Sequence, residues 1–294
     1  MKIVGVWLVL CGGSAMLAGQ VPTQSHDPLQ RQYREGETLV YKMTGVNEAW
    51  HYTIQADGVV KKDAAGPYYE EYRWSSLQTD GQPTPLSADT PTFRQRITLD
   101  PNQNPSPPDV TKVDPKLIGP VMDFMTFYAD LWLANKLGQL KKAGDHFYFR
   151  NPMPPSSWAD GARVLIGEDA IDFDMTLKSV DPATGTAVLV VKHVPPEKSP
   201  VQIPAAWMQT PVADTPNNWV ELHKEQAGKF LGAVGQETFT VEIKVSLADG
   251  KMLGVSMDNT VKKIERICED QALTKCGEAR PHDILRKIDI TLVQ

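Results

Sequence analysis

The chain has 294 residues, 22% of them charged, and a formal net charge of −6 at pH 7. That length has room for one large core or two small ones, and all-β domains commonly run this long as one unit. Its mild acidity, with no Lys/Arg run longer than two residues, gives no reason to expect nucleic acid or an anionic membrane surface as a partner.

Met1-Lys2 precede the apolar run Ile3 to Leu10, then small residues (Gly12, Gly13, Ser14, Ala15) and Met16 to Gly19. This layout predicts a secretory signal peptide over residues 1–19, followed by a flexible segment over 20–32. Leu10-Cys11 offers a lipid-anchored alternative, although a lipobox wants a small residue where Leu10 stands. The expected location is the periplasm or the extracellular space.

Period-two alternation dominates the chain beyond residue 32, the pattern of half-buried strands. Leu39, Tyr41 and Met43 alternate with polar residues, as do Trp50, Tyr52 and Ile54, then Tyr72 and Trp74, then Phe93, Ile97 and Leu99. Proline-rich stretches over 82–91, 101–115, 151–155 and 195–216 exclude central strands and predict loops.

Asp114-Pro115 marks a helix start, with Asp as N-cap and Pro at the first helical position. One long apolar helix is expected over about 117–142, closed by Gly144. Its polar stripe is confined to Asp123, Thr126 and Asp130, so several sides of it must be covered. Those two acids and Lys136 also argue against a membrane span.

Strands return with Ile171, Phe173, Met175 and Leu177, a turn at Asp181 to Gly185, and Ala187 to Lys192. Thr238 to Ala248 is the clearest strand, with Phe239, Val241, Ile243, Val245 and Leu247 on one face, and Asp249-Gly250 makes its hairpin turn. Val255 and Met257 carry the return strand, and Ile284, Ile288, Ile290 and Leu292 the last one. The expected fold is α+β, mainly antiparallel, with about nine to eleven strands forming a curved sheet or incomplete barrel around the helix. Residues 33–294 read as one β-rich domain, with two subdomains split near residue 150 as the alternative.

The run Tyr33-Arg34-Glu35-Gly36-Glu37-Thr38-Leu39-Val40-Tyr41 resembles the opening strand, Tyr-x-x-Gly-Glu-x-Leu-x-Tyr, of an uncharacterised family of bacterial envelope proteins. The resemblance implies a fold like that of the periplasmic lipoprotein carriers, a curved antiparallel sheet around a helix. It implies no functional residues.

Candidate site residues fall into three groups. Trp50, Tyr52, Tyr72 and Trp74 on the sheet, with Phe124, Phe127, Tyr128 and Trp132 on the helix, are core if the two surfaces pack directly. If the helix stands off, they line a pocket for a lipid or other apolar ligand, with Trp158, Trp207 and Trp219 on loops to cap it. Glu221, His223 and Glu225 share one strand face at roughly 7 Å intervals and could hold a divalent metal or tune a histidine. Cys268 and Cys276, the pair left after the leader is removed, are expected to form a disulfide in an oxidising compartment.

Other signals are weaker. Asp172 and Asp174 share a face, and His282-Asp283 are merely adjacent. His26, His51, His146 and His193 stand alone in sequence. Gly254 to Asp258 lacks the second glycine of a nucleophile elbow, and Ser156-Ser157 has no base nearby. No cofactor motif is present. Three function classes remain: an exported, non-enzymatic binder of an apolar ligand, a structural or protein-interaction module, and a hydrolase with an unrecognised site. The oligomeric state is not encoded legibly.

Overall fold

The structure, a computed structural model, describes residues 27–293 except 65, 110, 112, 152–156, 161–162, 167–170 and 198–204. The expected signal peptide, with Cys11, and His26 lie outside the described residues. The first strands are β1 (Thr38–Asn47), β2 (Trp50–Lys62), β3 (Tyr68–Thr79), β4 (Gln82–Pro83) and β5 (Gln95–Ile97). The helix α1 (Pro115–Leu137) comes next. After it come β6 (His146–Phe149), β7 (Ser157–Asp160), β8 (Arg163–Ile166), β9 (Asp172–Asp181) and β10 (Thr186–Val194). The chain then forms β11 (Trp219–Lys224), β12 (Phe230–Ser246), β13 (Met252–Cys268), β14 (Arg280–Pro281) and β15 (Ile284–Leu292).

These strands make one antiparallel sheet in the order β4-β3-β2-β1-β15-β13-β12-β10-β9-β6, with β11, β8 and β7 extending from the first half of β12. The sheet is open, with β4 at one end of this path and β6 at the other, so it is not a barrel. One helix and a mainly antiparallel sheet make the class α+β. The last strand lies in the middle, between β1 and β13.

Alternation sets which face is buried. Leu39, Tyr41 and Met43 of β1, Ala187, Leu189 and Val191 of β10, and Val241, Ile243 and Val245 of β12 join one core with α1. In β3 the inward phase shifts from Tyr72 and Trp74 to Leu77, because an extra residue opposite the Gln55/Ala56 step makes a bulge. Gly45 and Gly58 sit opposite Tyr52 and Tyr72, whose rings occupy the space a Cβ would fill.

The helix begins where the sequence indicates. Asp114 accepts the Lys116 backbone N–H at 3.0 Å and that of Ser87 at 2.5 Å, which fixes the helix start to the preceding loop. These bonds outweigh burial and hold its pKa below the usual carboxylate range. The end differs from expectation: α1 stops at Leu137, not near residue 142. Gly138 takes the left-handed conformation (φ 60°) and bonds back to Ala134 and Asn135, a cap that Gly144 cannot supply six residues later.

The proline-rich loop after β5 lies along the helix. Trp132 Nε1 donates to the Asp100 carbonyl at 3.0 Å, and Asn135 Nδ2 to that of Leu99 at 3.3 Å. Among the described residues, no helix is long and apolar enough to cross a membrane.

A second, smaller cluster gathers Met208, Val220, Val234, Cys268 and Leu273. The Cys268–Cys276 disulfide closes the loop that inserts Leu273 into it. Such a bond fits a compartment outside the reducing cytoplasm.

Candidate functional site

The sheet and helix aromatics meet directly. The Phe124 ring lies 5.0 Å from Tyr72, 5.5 Å from Trp74 and 5.1 Å from Tyr128, centroid to centroid. Tyr41 meets Phe124 edge-on at 5.5 Å. Each such pair contributes about 0.5–1.5 kcal/mol beyond its buried area. Tyr72, Trp74, Phe124, Phe127 and Tyr128 are fully buried, whereas Trp50 is half-buried and stacks on Tyr52 at 4.6 Å. Trp132 faces the proline-rich loop rather than these rings.

Beside the rings lies a buried carboxylate, Glu70. It accepts from Arg31 Nε at 2.9 Å, and from the hydroxyls of Tyr72 and Tyr128 at 2.7 Å each. Arg31 also reaches Glu37 at 2.8 Å and the Gln32 carbonyl at 2.7 Å. Burial opposes its charge, but Glu70 and Glu37 more than offset that and raise its pKa. Burial, and then the Glu70 charge, keep the hydroxyls of Tyr41, Tyr72 and Tyr128 protonated. This network ties the segment before β1 to β3 and to the helix.

A polar row crosses the core-facing side of the sheet near the far end of β10. His193, Phe239, Asn259 and Arg286 are successive cross-strand partners on β10, β12, β13 and β15. Glu237 stands two residues before Phe239 on β12. The helix turns its polar stripe toward this row. Asp130 Oδ2 lies 2.9 Å from His193 Nε2, both side chains being 1–2% exposed, and Arg286 donates to Asp123 at 2.5 Å.

His193 stacks on Phe239 at 3.9 Å and meets Phe173 edge-on. Asn259 Nδ2 donates to Glu237 Oε1 at 2.7 Å. Two buried atoms here, His193 Nδ1 and Asn259 Oδ1, have no hydrogen-bond partner among the described residues. Burial raises the pKa of Asp130 against the pull of His193. It raises that of Glu237 as well, against Asn259, Arg286 and His193.

The Glu221, His223 and Glu225 set does not converge. Glu221 is buried on β11, while His223 and Glu225 pair with each other at 3.3 Å. Among the described residues, no three His, Cys, Asp or Glu side chains are gathered to hold a metal ion.

Two of the tryptophans expected on loops lie on strands, Trp158 on β7 and Trp219 on β11. Trp219 packs with Ala233 and Val261. Trp207 bonds the Leu273 carbonyl, and Trp158 falls where side chains are not described. His282 pairs with Glu48 and Glu265, in keeping with an Asp283 that is merely its neighbour in sequence.

His193, Glu237, Asn259 and Arg286 were missed as a group. Each continues the inward phase of an apolar strand, and that was the available signal: Arg286 between Ile284 and Ile288, and His193 after Leu189 and Val191. Comparison with family models, with curated proteins and with solved structures finds no match to this chain.

Proposed function

We propose that the protein is a non-enzymatic structural or protein-interaction module of the cell envelope or the extracellular space, with its helix–sheet interior filled by its own side chains. The observation that carries this reading is the placement of Phe124, held against Tyr72 and Trp74 at 5.0 and 5.5 Å. An apolar ligand of ordinary size needs a cavity of several hundred cubic ångströms. These rings stand where such a ligand would have to sit. The disulfide supports an oxidising compartment, and the resemblance at Tyr33 to Tyr41 supports an envelope setting.

Native mass spectrometry of protein purified from its own host tests the reading. The expected mass is that of the polypeptide with one disulfide. A co-purifying lipid or other apolar molecule at stoichiometric occupancy would overturn it in favour of a carrier.

A further inference from the structure

We propose that the row formed by Asp130, His193, Glu237 and Asn259 makes the seat of α1 a proton-operated clasp, tight in mild acid and looser toward neutral and alkaline pH. The proposal concerns regulation and does not depend on the function proposed above.

The charges around Glu237 come from every element packed there. The helix brings Asp123 and Asp130, β10 brings His193, and β15 brings Arg286. On β2, Tyr52 stays protonated because of burial and, next, the Asp123 charge. Farther along the sheet stand Lys263, paired with Glu265 at 2.7 Å, and Glu221 on β11.

Arg286, the cross-strand partner of Asn259, is a permanent cation that Asp123 already engages. If Asp130 and Glu237 were both ionised, a single imidazolium would have to balance them in a space closed to water. A proton on Glu237 removes that excess of negative charge. Glu237 accepts a bond from the neutral Asn259 amide and, among the described residues, has no direct ion pair to hold it ionised.

The sign depends on where the protons sit. With the helix seated, Asp130 and Glu237 keep their protons to higher pH than ordinary carboxyls do. With the helix lifted, water reaches them and they ionise in the usual range. The seated state therefore binds one more proton at Glu237, whereas the Asp130–His193 pair can carry one proton in either state, so raising the pH across that window favours lifting chiefly through Glu237. The Glu70 network holds the same helix through Tyr128, so the local opening lifts the stretch around Asp130 without dissolving the aromatic core.

Hydrogen–deuterium exchange on the mature chain, corrected for intrinsic exchange rates, provides the test. From about pH 5 to pH 8, protection of helix peptides around Asp130 should fall by up to roughly tenfold per pH unit for one proton released, while β1–β2 peptides stay level. Glu237→Gln keeps the bond from Asn259 but cannot ionise, and should flatten the slope; Asp130→Asn should reduce it. Carbon NMR titration of the wild-type carboxyl groups serves if either variant fails to fold. An unchanged slope in Glu237→Gln, or Asp130 and Glu237 titrating in the ordinary carboxylate range, would overturn the proposal.

Discussion

At Glu70, three donors from three parts of the chain converge on one buried carboxylate. Arg31 arrives from the segment before β1, Tyr72 from the same strand, and Tyr128 from the helix. Removing the acceptor takes a bond from all three at once, leaving Arg31 with Glu37 and the Gln32 carbonyl and the two hydroxyls with each other, whereas removing one hydroxyl leaves the other two donors on Glu70. Glu70→Ala should therefore cost about 3–5 kcal/mol, the penalty of a buried guanidinium left with a weakened partner set. Tyr128→Phe should cost about 1 kcal/mol, a single hydrogen bond in a site where Glu70 keeps two donors. Urea denaturation of the two variants checks the ordering. Equal costs would mean that the network is not organised around the carboxylate.

The elements themselves were legible where local chemistry decides them. Alternation placed the strands around Tyr41, Phe173, Val241 and Ile288, and Asp114-Pro115 placed the start of the helix. Local chemistry misled where two residues competed for one role: Gly138 and Gly144 both suit a helix end, and only packing chooses between them. The first half of β12, with Gly232, Ala233, Val234 and Gly235, carries too little alternation to announce a strand, yet it pairs with both β11 and β13. The polar row was hidden for another reason, since its members become neighbours only through the sheet order.

The loop between Cys268 and Cys276 was legible as a disulfide, but not as the carrier of a side chain that completes the second cluster. Leu273, at φ 54°, is buried in the second cluster, and its carbonyl accepts from Trp207 Nε1 at 3.1 Å. Replacing both cysteines by serine should destabilise the protein by about 2–3 kcal/mol on the chain-entropy account. Thermal denaturation measures the cost. Hydrogen exchange should rise in the loop and around Met208, while strands packed on the helix stay protected. A uniform rise would instead make the disulfide a clamp on the whole fold.

For the whole molecule, the decisive feature is that β15 fills the gap between β1 and β13. Its register runs from Tyr41 opposite Leu292 to Asn47 opposite Arg286 on one side, and from Gly254 opposite Thr291 to Val261 opposite Ile284 on the other. Ile288 and Ile290 complete the core, and Arg286 supplies the cation that answers Asp123. A chain without residues 284–292 would leave β1 and β13 as facing edges with unpaired backbone groups, lose two buried isoleucines worth about 1.5–3 kcal/mol each, and leave Asp123 unneutralised. Summed with the lost ladder bonds, this exceeds the roughly 5–15 kcal/mol by which domains are stable. Removing Gln82 and Pro83, exposed at the edge in β4, interrupts only two cross-strand pairs. The chain lacking 284–292 should therefore show no cooperative unfolding transition by tryptophan fluorescence in urea, whereas the chain lacking 82–83 should keep one. A cooperative transition in the first would mean that β1 and β13 can close the sheet between themselves.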